Sequence, residues 1–244
     1  PFPHDVCSKI FMYACKSPHT GLDSVAIKHI IGFDIYNKLI KFGGIVLDGD
    51  GNMVEFQTFN ICYLLDYDEL KQLTFDIFHL KSLRNLTHIR LWDTAVTGNI
   101  AHLESLQKLT LIDLYHMDVS GDIIHLKSMP NLTQIYLSRT CVTGDIVHLK
   151  SLANLTHIQL VKTGVTGNIA HLKSLLNLTV IRIWKTGVTG NIENLKSLWN
   201  LTYLDLSTTG VTGDIENLKS LPNVITIALS RTGVTGDKEA FHEY

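Results

Sequence analysis

The sequence predicts an α/β repeat fold, a solenoid of short stacked coils that needs a cap at each end. Three observations predict it. From about residue 74 the chain repeats itself every 23 residues: Val96-Thr97-Gly98-Asn99-Ile100 returns as Val119-Ser120-Gly121-Asp122-Ile123 and Val142-Thr143-Gly144-Asp145-Ile146, then again from Val165, Val188, Val211 and Val234. Between these markers runs a second phrase, read in one unit as His148-Leu149-Lys150-Ser151-Leu152-Ala153-Asn154-Leu155-Thr156-His157-Ile158-Gln159-Leu160, with Leu or Ile at every third and then every second position. The third observation is composition: 45% apolar and 18% charged residues in a chain of 244 can build a large core and do not describe a disordered segment.

Each coil has an apolar side it cannot bury alone, and stacking makes those sides one continuous core. In one coil Ile100, Leu103, Leu106, Leu109, Ile112 and Leu114 are expected to point inward, and their equivalents in every other coil. Gly98 and its copies supply a backbone bend that tolerates positive φ. A Thr column follows each strand (Thr94, Thr140, Thr163, Thr186, Thr209 and Thr232, with Met117 the exception) and can hydrogen-bond the backbone of its own or the next coil. Seven coils at about 4.8 Å each give a stack of roughly 34 Å.

A terminal coil would leave its core open to water, so the ends must be closed. Residues 1–73 are assigned to an N-terminal cap, 74–236 to seven tandem repeats and 237–244 to a C-terminal cap, where Lys238 replaces the repeating Ile. Asp5 to Lys16 and Ser24 to Phe42 have helical apolar spacing. Ile45-Val46-Leu47, Asp48-Gly49-Asp50-Gly51-Asn52 and Met53-Val54-Glu55-Phe56 read as a β-hairpin over 45–56.

The period and the Leu-x-x-Leu-x-x-Leu-x-Leu spacing resemble the leucine-rich repeats. The Thr-Gly-Asp/Asn-Ile phrase is similar to their plant-type members, which carry Gly-x-Ile-Pro there; this chain lacks the Pro and has Thr where most such repeats have Asn. The stretch Phe42-Gly43-Gly44-Ile45 with Gly51 to Phe56 resembles the opening hairpin of those repeats, without the cysteines that flank it in secreted plant members. The resemblance covers about residues 42–240. It implies a right-handed solenoid with a concave parallel β-sheet, and the binding of protein or peptide.

Twenty-one Lys and Arg against 23 Asp and Glu leave a net charge of −2, so no basic excess points to nucleic acid or an anionic membrane. No apolar run approaches the roughly 18 residues of a membrane span. The sequence starts at Pro1, which is compatible with removal of a targeting segment. Cys7, Cys15, Cys62 and Cys141 do not form a disulfide framework, since a helix would hold Cys7 and Cys15 about 12 Å apart. Free thiols favour an intracellular or organellar location over a secreted one.

Several motifs invite sharper readings. Asp48-Gly49-Asp50-Gly51-Asn52 suggests calcium, but an EF-hand needs Gly where Met53 stands and Glu where Phe59 stands, so a tight turn is expected. His79, His102, His125, His148 and His171 form a column, yet it continues as Asn194 and Asn217 and has Lys two residues on in most coils, which suits a structural position on the convex side. Asn85, Asn131, Asn154, Asn177 and Asn200 each begin Asn-Leu-Thr, an N-glycosylation acceptor that here occupies one fixed turn of the repeat. Phe2 to Tyr13 resembles the first helix of an F-box, without that motif's later Trp. There is no phosphate loop, nucleophile elbow or zinc spacing, so no catalytic residue, metal ligand or cofactor is expected.

The informative positions are those the repeats do not share. Each strand reads x-Ile/Leu-x-Leu/Ile-x, and the x side chains alternate to the side away from the core. They hold Arg90, Trp92, Asp113, Tyr115, Tyr136, His157, Gln159, Arg182, Trp184, Tyr203 and Asp205, rich in the aromatic and Arg types that dominate interface hot spots. These are the expected partner-binding residues. The sequence thus reads as a non-catalytic module that binds another protein or peptide on its concave sheet, with no nucleic acid or membrane insertion. The alternatives are an F-box-like substrate adaptor of a ubiquitin ligase and a structural subunit of a larger complex.

Overall fold

The computed structural model describes residues 27, 29–41, 44–58, 71–92 and 94–237. The helical reading of Asp5 to Lys16, the F-box-like stretch, Lys238, and Cys7, Cys15 and Cys62 lie outside the described residues. The helix α1, Phe33–Lys41, buries Tyr36 and Leu39 against the start of the array. The single helix expected over Ser24 to Phe42 is in fact interrupted: Ile31 ends one helical segment, and Gly32 stands at φ +86° before α1 begins. A right-handed helix cannot run through a left-handed residue, and Gly adopts that conformation without a Cβ penalty.

A hairpin precedes the first coil. Strands β1, Ile45–Leu47, and β2, Met53–Gln57, pair antiparallel with Ile45 opposite Phe56. Asp48 closes the turn, its carboxylate accepting from the backbone N–H of Asp50 (3.0 Å) and Asn52 (2.9 Å) and from the Asn52 amide. The Asn52 side chain, with the backbone donors, holds the Asp48 carboxyl below its ordinary range. Phe56 packs on Phe75 with ring centroids 5.7 Å apart, tying the hairpin to the first coil.

β2 then serves as the template for the repeats. It pairs in parallel with β3, His88–Arg90, and the order continues one strand per coil to β15, Thr226–Ala228, in a nine-stranded sheet. Equivalent residues face each other throughout, as Ile135 faces Ile158 and Ile158 faces Ile181. The six residues expected inward in one coil, Ile100 to Leu114, are fully buried, as are Leu149, Leu152, Leu155 and Ile158 two coils on.

A second sheet was not anticipated. The Val-Thr-Gly-Asp/Asn markers form seven parallel strands, from Thr97–Asn99 to Gly233–Thr235, where the sequence suggested only a bend. Gly144, at φ +112°, shows why Gly lies inside a strand. A Cβ there would sit 2.8 Å from the Asp122 Cγ and 3.0 Å from the Ile123 Cγ1 of the preceding coil. That Asp122 is the cap of the next turn, Ile123–Ser128, its Oδ1 accepting from the Ile124 N–H at 2.7 Å. The Thr-Gly-Asp/Asn phrase therefore couples coils: the acid or amide caps a 3-10 turn, and the next coil's Gly makes room for it. The marker Val itself is buried in every coil.

The remaining constant polar residues are also structural. Thr140 donates to the Leu137 carbonyl of its own coil (2.6 Å), as the equivalent Thr residues do. In the Asn-Leu-Thr phrase both polar side chains reach back one coil. Asn154 Nδ2 donates to the Pro130 carbonyl (3.0 Å), and Thr156 Oγ1 to the Thr133 carbonyl (3.0 Å). The Thr hydroxyls form a ladder from Thr87 to Thr202. Cys141 is a free, exposed thiol.

Candidate functional site

The variable residues fall into three parallel rows, each position set by the pleat and the one-to-one register. The central row is Arg90, Asp113, Tyr136, Gln159, Arg182 and Asp205, one residue in each of six successive strands. His88, His157 and Tyr203 belong to the row two residues earlier. Trp92, Tyr115 and Trp184 follow the strand ends, where each strand turns towards the marker phrase. All the expected contact residues thus lie on one face of the nine-stranded sheet.

Polar groups on this face are engaged with one another. His88 Nδ1 lies 3.5 Å from Glu55 and 2.9 Å from the Thr87 hydroxyl, and Tyr136 donates its OH to Gln134 Oε1 at 2.9 Å. The Arg182 guanidinium lies over the Tyr203 ring at 5.1 Å, and its Nε–H is enclosed without an acceptor. Burial pushes the Asp113 carboxyl up to about 6, although the Tyr115 backbone N–H and Arg90 pull the other way. Burial, with the Asp113 charge beside it, also raises the Tyr136 phenol, and burial lowers His157.

The face is less open than alternation alone suggests. Leu111, Ser138 and Val161 stand in these same rows, yet are only 2%, 3% and 7% exposed. Each side chain on this face has neighbours one strand spacing away on both sides, close enough to bury it. The Ser138 hydroxyl is instead used across coils, accepting from the Val161 N–H at 3.0 Å. Asp205, expected as a contact residue, is 9% exposed, and its carboxylate accepts from the Ser207 N–H at 3.1 Å. It acts first as a turn residue. Tyr115 is exposed, and Trp92 and Trp184 are half-buried.

Two features escaped the sequence reading. His116, Arg139, Lys162, Lys185, Thr208 and Arg231, immediately beyond the third row, all adopt left-handed backbone with φ between 55° and 59°. No local pattern marks them, because left-handed positions are normally marked by Gly or Asn. Elsewhere, Leu176 and Trp199 occupy one position of adjacent coils and are 55% and 67% exposed. The varying residue in Ser-Leu-x-Asn was their only signal.

The His column lies on the 3-10 turns of the convex side. His125 Nδ1 is 3.1 Å from Glu104, and His102 meets Phe78 edge-on at 5.0 Å between ring centroids. Where Asn replaces His, its amide donates back to the cap carbonyl, Asn194 to Asn191 at 2.9 Å and Asn217 to Asp214 at 3.0 Å. Among the described residues, no three His, Cys, Asp or Glu side chains gather as a metal site would require.

No family model matches the sequence, and no curated protein matches it. Solved structures do. The plant peptide hormone receptor RGFR1 in complex with RGF2 is 27% identical over 64% of this chain and 26% of its own, with a TM-score of 0.60. The ectodomain of the receptor kinase GASSHO1/SCHENGEN3 from Arabidopsis thaliana, in complex with CASPARIAN STRIP INTEGRITY FACTOR 2, is 23% identical over 80% of this chain and 23% of its own, with a TM-score of 0.67. An internalin C2 from Listeria monocytogenes is 25% identical over 71% of this chain and 78% of its own, with a TM-score of 0.57. The chain spans about a quarter of the length of the plant receptors it matches. Its period, its buried columns and these likenesses agree on one conclusion: the chain has the leucine-rich-repeat fold, a right-handed solenoid with a concave parallel sheet.

Proposed function

We propose that this solenoid is a non-catalytic module that binds a protein or peptide along its concave sheet. The carrying observation is the contrast between columns. The constant Asn, ladder Thr and capping Asp/Asn columns have partners in their own or the neighbouring coil, whereas the face residues change from strand to strand and include large aromatic and cationic side chains. Such side chains concentrate binding energy at interfaces. The likeness to receptor ectodomains in complex with RGF2 and with the peptide hormone IDA supports a peptide-sized partner.

Trp92 and Trp184 stand four coils apart, about 19 Å along the stack at the usual strand spacing. A partner that lies along the face can use both as anchors. The test begins with the partner that co-purifies from the native source and is identified by mass spectrometry. Trp184→Ala is expected to weaken its binding by about 1–2 kcal/mol or more, with little change in fold stability. Lys150→Ala, on the convex turn Ile146–Ser151, is expected to change neither. The reverse pattern would place the partner on the edge or back of the solenoid.

A further inference from the structure

The row of left-handed residues at the rim of the sheet carries a chemistry that the fold does not require. Six successive coils place a residue there at φ 55–59°, and none of the six is Gly, Asn or Asp. Those three types, with His, hold this conformation most readily, so local stability alone would select them, and only His116 is among them. Instead the row reads His116, Arg139, Lys162, Lys185, Thr208 and Arg231, four of them permanently cationic. The chain as a whole carries −2, so the row does not reflect a generally basic composition.

The backbone keeps these cations close. The Arg139 N–H donates to the Val161 carbonyl (2.7 Å), the Lys162 N–H to that of Trp184 (3.1 Å) and the Lys185 N–H to that of Ser207 (2.9 Å), so each residue is one coil from the next. At about 4.8 Å per coil, Arg139, Lys162 and Lys185 fall within one Debye length and repel one another. Among the described residues no carboxylate forms an ion pair with these three or with Arg231. The cations lean over the concave face: Lys162 Nζ lies 4.8 Å from the centroid of the Trp184 ring, and the Arg139 guanidinium 5.9 Å from that of Tyr115. Next to Trp184, Arg182 holds an enclosed Nε–H with no acceptor, while Asp205, the acid in the adjoining strand, is nearly buried and already accepts a backbone N–H.

From this we infer that the rim is a binding rail for an extended acidic peptide segment, whose carboxylates meet Arg139, Lys162, Lys185 and Arg182 while its apolar residues contact Trp184 and Tyr115. This rests on the concave-face reading and assigns the partner's charge. The geometry favours a peptide over a dense polyanion. The cationic row is one residue wide and is bordered by the Tyr115 and Trp184 rings, which suits spaced carboxylates on an apolar-bearing chain. An extended segment advances about 3.3 Å per residue, so six residues cover the roughly 19 Å from Arg139 to Arg231.

The test pans a phage-displayed library of random dodecapeptides against the full chain and measures recovered peptides by fluorescence anisotropy. Three variants are compared with the parent: Trp184→Ala, the triple variant Arg139→Asn/Lys162→Asn/Lys185→Asn, and the triple variant with Glu at the same sites. Asn is chosen because it tolerates the left-handed backbone, so loss of binding is not loss of fold; a circular-dichroism melt checks this. The inference expects recovered peptides enriched in Asp and Glu. Their affinity should fall at least about tenfold in the Asn triple variant, further in the Glu variant, and steeply between about 50 and about 300 mM salt. Peptides without acidic enrichment that depend on Trp184 but not on the three cations would overturn the rail and leave the concave-face reading standing. Peptides indifferent to both sets of changes, or no recovered peptide at all, would overturn both. Heparin oligosaccharide binding more tightly than any recovered peptide, and lost in the Asn triple variant, would make the rail a polyanion site and overturn the acidic-peptide assignment.

Discussion

The seven-stranded sheet and seven strands of the nine-stranded sheet are built by the same coils, yet the first repeats almost one sequence and the second changes in every strand. The difference follows from what each residue must do for its neighbour. In Val142-Thr143-Gly144-Asp145 the Val fills the core, the Gly clears space for the preceding cap, and the Asp caps the following turn. A change at any of the three disturbs two coils. In the strand His157–Gln159 only Ile158 is committed to the core; His157 meets the hydroxyl of Thr156, and the Gln159 side chain makes no hydrogen bond to a constant residue. Constancy in this protein therefore measures duty between coils, and variation marks surface released from it. The rim adds a third case: its left-handed backbone is constant, but its side chains vary and are mostly cationic.

The largest effect should come from the shared core. Leu155→Ala, fully buried in mid-stack, is expected to cost about 2–5 kcal/mol in denaturant titration, and a loss below about 0.5 kcal/mol would break the assigned inward register. Next, Gly144→Ala combines a left-handed residue with a Cβ pressed against Asp122, and about 1–3 kcal/mol is expected. Gln159→Ala on the variable face should stay within about 0.5 kcal/mol. Equal losses at the two sites would erase the distinction between the sheets.

Asp113 sharpens the comparison from within the variable face. Its folded carboxyl is pushed up to about 6, against about 4 in an unfolded chain. Between those values the folded protein holds a proton that the unfolded chain has released. Stability should therefore fall as pH rises through this window, and the loss is complete above the folded value. Relative to Asp113→Asn, the parent is expected to lose about 1–2 kcal/mol between about pH 4 and about pH 7. Parallel curves for the two proteins would show that the carboxyl is solvated. A modest effect is expected at the ladder between coils. Thr156→Val removes the donor to the Thr133 carbonyl and the contact with His157 Nδ1, and should cost about 1 kcal/mol by thermal melting.

Much of this architecture was legible in the residues. The hairpin followed from alternation around Asp48-Gly49-Asp50-Gly51-Asn52, and the face residues from the period-2 strand. Misreadings occurred where a residue's environment comes from elsewhere in the chain. The apolar spacing from Ser24 to Phe42 runs through Gly32 without a mark, and only its φ of +86° shows the first helical segment ending there. Leu111, Ser138 and Val161 alternate correctly but are covered from the adjacent coils.

The period, the inward columns and the solenoid itself were determined by sequence alone, because burial of a repeated apolar side admits no solution other than stacking. Tertiary structure decided the second sheet. Val-Thr-Gly-Asp contains a residue with φ above +100° and has no strand pattern of its own, and it becomes a strand only when the neighbouring coil presents a parallel edge. Tertiary structure also decided the rim. Arg139, Lys162 and Lys185 are separated by whole coils in sequence, and the backbone bonds between coils bring them to one edge beside the aromatic rings. The reason is the same in both cases: a local pattern reports which side of a coil a residue occupies, while its neighbours across the stack are supplied by residues one full repeat away.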